Sequence, residues 1–215
     1  MTVNSGPEAV AVLAEGAEQL AATVRWLAAQ GWAPATSGNF SLRLAPDLCA
    51  ITTSGRDKER LEPAHVMAVR LDGQPASPGK PSAETLLHLR LYRRFAAAGA
   101  VLHTHSVASM ALSRAIGAGG HLDLAGWEII KAFPGISSHE SPFPVPILAN
   151  SQDMPALADH VDEALDETPS ARAYLIAGHG TYTWGPDLET ARLQVQALET
   201  LFAAEIQLRL LRGTP

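Results

Sequence analysis

The sequence predicts a layered α/β fold with a mostly antiparallel sheet. Two observations carry this expectation. Short apolar runs in the first third are joined by turn signals, as antiparallel neighbours are. Later apolar runs are separated by stretches of helical periodicity, which place helices over a sheet. No linker rich in Gly and Ser, no repeat and no low-complexity tract interrupts the chain, so residues 1–215 read as one domain.

The elements follow in order. Glu8 to Gln30 carries Val12, Leu13, Leu20, Val24 and Leu27 at helical spacing, and Gly31 supplies a stop. Phe40 to Leu44 and Leu48 to Thr52 are expected strands around Pro46-Asp47, and Val66 to Leu71 a third, ending at Asp72-Gly73. Ser82 is expected to cap a helix from Ala83 to Ala98 with Leu87, Leu91 and Phe95 facing inward and Gly99 as its stop. Ala100 to His103 reads as a buried strand, Val107 to Ile116 as a helix, and Leu124 to Phe133 as a short helical stretch cut off by Pro134-Gly135. Val145 to Leu148 is a short strand and Asp153 to Leu165 a helix. Ala173 to Ala177 and Thr181 to Trp184 read as strands joined across Gly178-His179-Gly180, and a long helix runs from Asp187 to Leu211.

Composition narrows the function. The 215 residues include 16 Lys and Arg against 22 Asp and Glu, a net charge of −6, which argues against a nucleic-acid partner. Hydrophobic residues at 47 % and charged residues at 18 % describe a globular chain. No apolar run reaches the roughly 18 residues of a membrane span, and the first residues lack the basic start and apolar core of a signal peptide. The one cysteine, Cys49, has no internal partner, so a cytoplasmic setting is expected.

His103-Thr104-His105 is the first chemical signal, because residues i and i+2 of an extended segment point to the same side. Alone, such a pair is more often two hydrogen-bonded or surface histidines. His179, between two glycines at the end of an apolar run, adds a third imidazole at an element end. Three protein ligands with an open position is the pattern of a catalytic zinc site rather than a closed structural one. Glu84 and Glu128 are the carboxylates to consider. Glu84 also suits a helix dipole. Glu128, among large apolar residues, reads either as an exposed helix residue or as a carboxylate of raised pKa able to move a proton. Thr36-Ser37-Gly38-Asn39 and Thr52-Thr53-Ser54-Gly55 combine hydroxyls with glycine, as anion-binding loops do, and Ser82 can add a donor. Walker A and Gly-x-Gly-x-x-Gly motifs are absent, so no nucleotide cofactor is indicated. His88 and His139 are not assigned as ligands.

Thr36-Ser37-Gly38-Asn39, Thr53-Ser54-Gly55, Lys80-Pro81-Ser82-Ala83-Glu84, His103-Thr104-His105 and Gly178-His179-Gly180 occur in this order. The ordered set resembles the class II aldolase/adducin family over residues 15 to 208. Trp127-Glu128-Ile129-Ile130-Lys131 and Gly180-Thr181-Tyr182-Thr183-Trp184-Gly185 resemble its dehydratase branch, the hydro-lyases of methionine salvage, rather than its aldolases. The resemblance implies a single-domain α/β/α sandwich, a homotetramer with sites at subunit interfaces, and one zinc ion per subunit held by His103, His105 and His179. It implies a phosphorylated ketose as substrate, its phosphate held by Ser37, Gly38, Asn39, Ser54, Gly55 and Ser82. Glu84 matches the acid/base glutamate of the sugar-phosphate aldolases and Glu128 that of the dehydratases. The reading left beside the dehydratase is an aldolase or epimerase acting on a ketose 1-phosphate. Trp127, Phe133 and Trp184 are candidates for an apolar lining.

Overall fold

A computed structural model describes residues 7–213. Eight strands form one sheet: β1 (Asn39–Ala45), β2 (Leu48–Thr52), β3 (Val66–Arg70), β4 (Ala100–Thr104), β5 (His121–Asp123), β6 (Pro144–Leu148), β7 (Ala173–Ile176) and β8 (Gly180–Gly185). Their order across the sheet is β3-β2-β1-β4-β8-β7-β6-β5. Only the β6–β7 pair is parallel, so the sheet is mostly antiparallel, as expected. Five helices cover it: α1 (Pro7–Ala29), α2 (Thr85–Arg94), α3 (Val107–Ile116), α4 (Met154–Glu167) and α5 (Leu188–Arg212).

Strand alternation divides the apolar residues between the two faces. On one face Ile51, Val101, Tyr174 and Tyr182 pack beneath Leu87 and Leu91 of α2 and Leu157 and Val161 of α4. On the other, Phe40, Ala100 and Leu102 meet Leu20, Val24 and Leu27 of α1, while Val145, Ala173 and Leu175 meet Leu198, Leu201 and Phe202 of α5. The result is three layers, α/β/α. Charged pairs tie α2 to α4: Arg90 reaches Asp159 at 2.7 Å and Asp162 at 2.6 Å, and Arg94 reaches Asp166 at 2.6 Å.

The structure corrects the sequence expectations in three places. The α2 helix begins at Thr85, not Ala83, and Ser82 does not cap it; Glu84 occupies that position with φ −93° and ψ 12°. The Glu84 side chain is drawn elsewhere, by donors from Asn39 and Tyr182. The helix also ends at Arg94, because Phe95 turns extended and stacks on Trp184 with ring centroids 4.8 Å apart. The expected helix over Leu124 to Phe133 is only a 3-10 turn at Glu128–Ala132, preceded by the unforeseen strand β5.

β4 and β8 lie at the centre of the sheet and pair in register Ala100↔Gly185 through Thr104↔Thr181. The pairing is close where β8 begins. A Cβ on Gly180 would sit 2.1 Å from the Thr104 carbonyl oxygen and 3.0 Å from the His103 ring. Gly180→Ala is therefore expected to lower stability by about 2–3 kcal/mol. A melting temperature reduced by roughly 4–12 °C would record that loss for a chain of this size.

Candidate metal centre

The centre is assembled at one end of the two central strands. His103 is the fourth residue of β4, fully buried, with its ring on the α2 face. The cross-strand register sets Tyr182 opposite His103 and Tyr174 opposite Tyr182. The three rings stack in a column, with centroids 3.9 Å and 4.8 Å apart. His103 Nδ1 donates to the Thr181 carbonyl at 2.9 Å, which leaves Nε2 with its lone pair turned into the cluster. A backbone carbonyl that fixes a ring in this way is the usual support of a metal-binding histidine.

His105 follows the strand end. Its backbone N–H donates to the Trp32 carbonyl at 2.8 Å, and its Nε2 lies 2.7 Å from His103 Nε2. His179 sits in the turn between β7 and β8, where its N–H donates to Ile176 and Gly178 N–H donates to the Ser113 hydroxyl at 3.0 Å. Its Nε2 is 3.1 Å from Glu84 Oε1, and its Nδ1 is buried with no hydrogen-bond partner. Glu84 Oε2 lies 3.3 Å from His103 Nε2 and accepts from Asn39 Nδ2 at 2.6 Å and Tyr182 Oη at 2.9 Å. One ligand atom from each of Glu84, His103, His105 and His179 falls within 4.8 Å of the others. Three imidazoles with a carboxylate form a donor set suited to zinc and to neighbouring divalent metals.

The electrostatics fit that donor set. Burial, and the neighbouring imidazoles, hold His103 well below the ordinary histidine range; His105 is lowered to about 4 by burial and by His179. Both rings are therefore neutral at neutral pH, the state in which an imidazole can take up a metal. Burial works against a charge on Glu84, but the His179 hydrogen bond, the imidazoles and the Asn39 amide together keep its carboxyl well below the usual range.

A cavity of about 110 Å³ adjoins the cluster, lined by Thr36, Gly38, Asn39, Thr52, Thr53, Ser54, Gly55, Lys58, Ser82, Glu84 and His105. Both hydroxyl- and glycine-rich loops thus meet Ser82 beside Glu84. Gly38, at φ +76°, packs where a Cβ would stand 2.7 Å from the His103 carbonyl oxygen. Ser37 stands apart, with its hydroxyl donating to the Pro34 carbonyl at 2.6 Å. Lys58 was not anticipated from the sequence. It is buried, donates to the carbonyls of Thr36 and Arg56, and is lowered to about 8 by desolvation. Its place three residues after Gly55 was the available signal.

Glu128 lies elsewhere. It is exposed on the 3-10 turn, beside Lys131 and 3.7 Å from His139 Nδ1. The expectation of a raised pKa is overturned within one protomer: the Lys131 hydrogen bond and charge lower it, and burial contributes little. Nor do the aromatic candidates line the cluster. Phe133 is spent in the core beneath α5, Trp184 stacks on Phe95, and the Trp127 indole donates to Glu205 at 2.8 Å.

A strand-end cluster of three histidines and a glutamate, flanked by hydroxyl- and glycine-rich loops on a sheet of this topology, defines a class. The chain belongs to the class II aldolase and adducin N-terminal domain family, whose model matches residues 18–208. Members of this family are typically metal-dependent, in keeping with the Glu84 and three-histidine group. The methylthioribulose-1-phosphate dehydratase of Alcanivorax borkumensis is 50 % identical over 208 residues, covering 97 % of this chain and 98 % of that protein. The dehydratase of the same name from Stenotrophomonas maltophilia is 48 % identical over 214 residues, covering 99 % of this chain and all of that protein. Among solved structures, the l-fuculose-1-phosphate aldolase of Thermus thermophilus superposes with a TM-score of 0.73 at 31 % identity, covering 95 % of this chain and 99 % of that one.

The opposite face of β4 holds a second carboxylate that the sequence did not single out. Glu199 of α5 is buried; it accepts from Thr104 Oγ1 at 3.2 Å, and its Oε2 has no partner. Burial raises it from 4.5 to about 7. The folded state therefore binds this proton more tightly than the unfolded chain. The associated stability is fully present below pH 4.5 and is lost as pH rises through about 7. Glu199→Gln should flatten that alkaline loss: against the wild type, its denaturation midpoint is expected to improve between pH 5 and pH 8, and parallel curves for the two proteins would refute the assignment.

Proposed function

We propose that the chain is a hydro-lyase converting 5-methylthioribulose 1-phosphate to 2,3-diketo-5-methylthiopentyl 1-phosphate in methionine salvage. The observation that carries this reading is the Glu84–His103–His105–His179 cluster beside the hydroxyl-lined cavity, in a chain about half identical to dehydratases over nearly its whole length. His103, His105 and His179 would hold a zinc ion. When bound, it supplies Lewis-acid polarisation of the C2 carbonyl, which acidifies the C3 proton. Ser54, Ser82, Asn39 and the backbone N–H groups at Gly38 and Gly55 bind the phosphate, with the buried Lys58 ammonium beneath them.

A carboxylate takes the C3 proton, and an acid then protonates the departing C4 hydroxyl. Water leaves, and the enol tautomerises to the 2,3-diketone. Glu84, held well below the usual carboxylate range, is suited to remain anionic and to orient the site. A group that both takes and gives a proton needs a pKa near neutrality. Glu128 fills that role in this proposal, brought from the surface of a neighbouring copy in a homotetramer. Docking would strip water from Glu128 and raise its pKa. The exposed Ile129 beside it fits such a contact. The buried, unpaired thiol of Cys49 suits a cytoplasmic enzyme, and no helix among the described residues is long and apolar enough to cross a membrane.

Zinc-loaded protein given methylthioribulose 1-phosphate should yield a product lighter by one water, with a diketone absorbance. Two smaller fragments would instead establish an aldolase, the reading favoured by the placement of Glu84 among the imidazoles. His103→Ala and His105→Ala should each lose most of their bound metal by elemental analysis; full retention would remove the three-histidine site. Glu128→Gln should keep its metal and lose turnover by about 10²–10⁴-fold. Mixed oligomers of Glu128→Gln and His103→Ala subunits should regain activity, since some sites then combine intact groups from both; no recovery would place Glu128 outside the neighbouring site.

A further inference from the structure

His88 is fully buried on α2, one helical turn after Glu84, and takes no part in the metal-ligand cluster. Both of its ring nitrogens are engaged. Nε2 lies 2.5 Å from Asn39 Oδ1, and Nδ1 lies 2.7 Å from Ser41 Oγ, which in turn lies 2.8 Å from Tyr92 Oη. Asn39 Nδ2 completes the chain by donating to Glu84 Oε2 at 2.6 Å.

The direction of every bond in this chain follows from its charged end. An ionised carboxylate only accepts, so the Asn39 amide must turn its NH₂ toward Glu84 and its carbonyl toward His88. His88 must then carry its proton on Nε2. Its Nδ1 is left as a lone pair, so the Ser41 hydroxyl donates to it, and the Tyr92 hydroxyl donates to Ser41. The result is a buried line of donors, Tyr92 to Ser41 to His88 to Asn39, all aimed at Glu84. Burial keeps the ring neutral, lowering His88 to about 3, as this pattern requires.

We infer that His88 is a positioning residue for Glu84: by donating to the Asn39 carbonyl it locks the amide in the one orientation that presents a donor to the Glu84 carboxylate. Without it, the bond to Glu84 is the amide's one remaining side-chain restraint against a flip. A flipped amide would set carbonyl oxygen against carboxylate oxygen, and Glu84 would turn away from the imidazoles. The catalytic consequence rests on the proposed dehydratase reading; the proton arrangement does not.

Two measurements test it. Long-range proton–nitrogen spectra of histidine-labelled protein, with the His88 signal identified by its loss in His88→Gln, should show Nε2 protonated and Nδ1 bare, unchanged from pH 6 to pH 8. Glu84→Gln removes the charge that sets the direction, and should move part of the His88 population to the other tautomer. A proton on Nδ1 in the wild type, or a tautomer indifferent to Glu84→Gln, overturns the inference. Kinetically, His88→Leu should lower kcat for dehydration of methylthioribulose 1-phosphate by at least about tenfold, with KM changed less than about threefold. His88→Gln offers an NH₂ toward Asn39 and a carbonyl toward Ser41, and should recover kcat to within about threefold of the wild type. Equal losses in both variants, or none in His88→Leu, overturn it as well. A wild type inactive on that substrate would sink the dehydratase reading alone, leaving the spectra to decide the role of His88.

Discussion

The antiparallel pairing of β4 with β8 is the constraint on which the candidate centre depends. It sets Tyr182 against His103, places the Thr181 carbonyl under His103 Nδ1 and brings the Gly178–Gly180 turn to the end of β4. Because side chains alternate along the strand, the same pairing turns His103 toward α2 and Thr104 toward α5. Neither consequence requires a long loop to be held in place. The imidazoles stand on hydrogen-bonded backbone at the middle of the sheet, where positions are defined most sharply.

Around that pairing, polar groups are buried in chains rather than singly. Glu84 carries the charge, and Asn39, Tyr182, His88, Ser41 and Tyr92 supply neutral donors behind it. A buried carboxylate is costly unless its oxygens are satisfied, and a fully satisfied network specifies one arrangement of its members. The α2 helix gives up its first turn for this: Ser82 and Ala83 stay outside it, and Glu84 faces the centre at its threshold. Carboxylate placement thus explains both the late start of the helix and the failure of Ser82 to cap it.

The layered fold was largely legible in the sequence because alternating apolar residues and turn signals mark β1 to β4, and long apolar stripes mark α1, α4 and α5. The β5 strand was not, since His121–Asp123 is three residues long and pairs only through its neighbour β6. The end of α2 is not legible in the sequence, because Phe95 has helical spacing yet turns extended and stacks on Trp184. At the centre, the spacing of His103 and His105 and the glycines around His179 pointed to the cluster. Apart from the place of Lys58 three residues after Gly55, nothing in the local pattern of Lys58 or Glu199 distinguishes a buried charge from a solvated one; only the loops and strands packed over them make them unusual. Glu128 illustrates the converse. Its apolar neighbours suggested burial, yet Ile130 alone of the 3-10 turn is buried, and Glu128 points outward.

The distribution of the cluster along the chain has a consequence for assembly of the protein. Glu84, His103 and His105 come from the middle of the sequence, whereas His179 arrives on the hairpin that β7 and β8 form. Two helices and three strands are synthesised between β4 and its partner β8. Such distant pairings close late, because loop entropy is spent before any contact rewards it. An ion held by His103, His105 and His179 would therefore find no nucleus in the nascent chain. It would act as a latch on a finished sheet, favouring the native state by mass action rather than templating the path toward it.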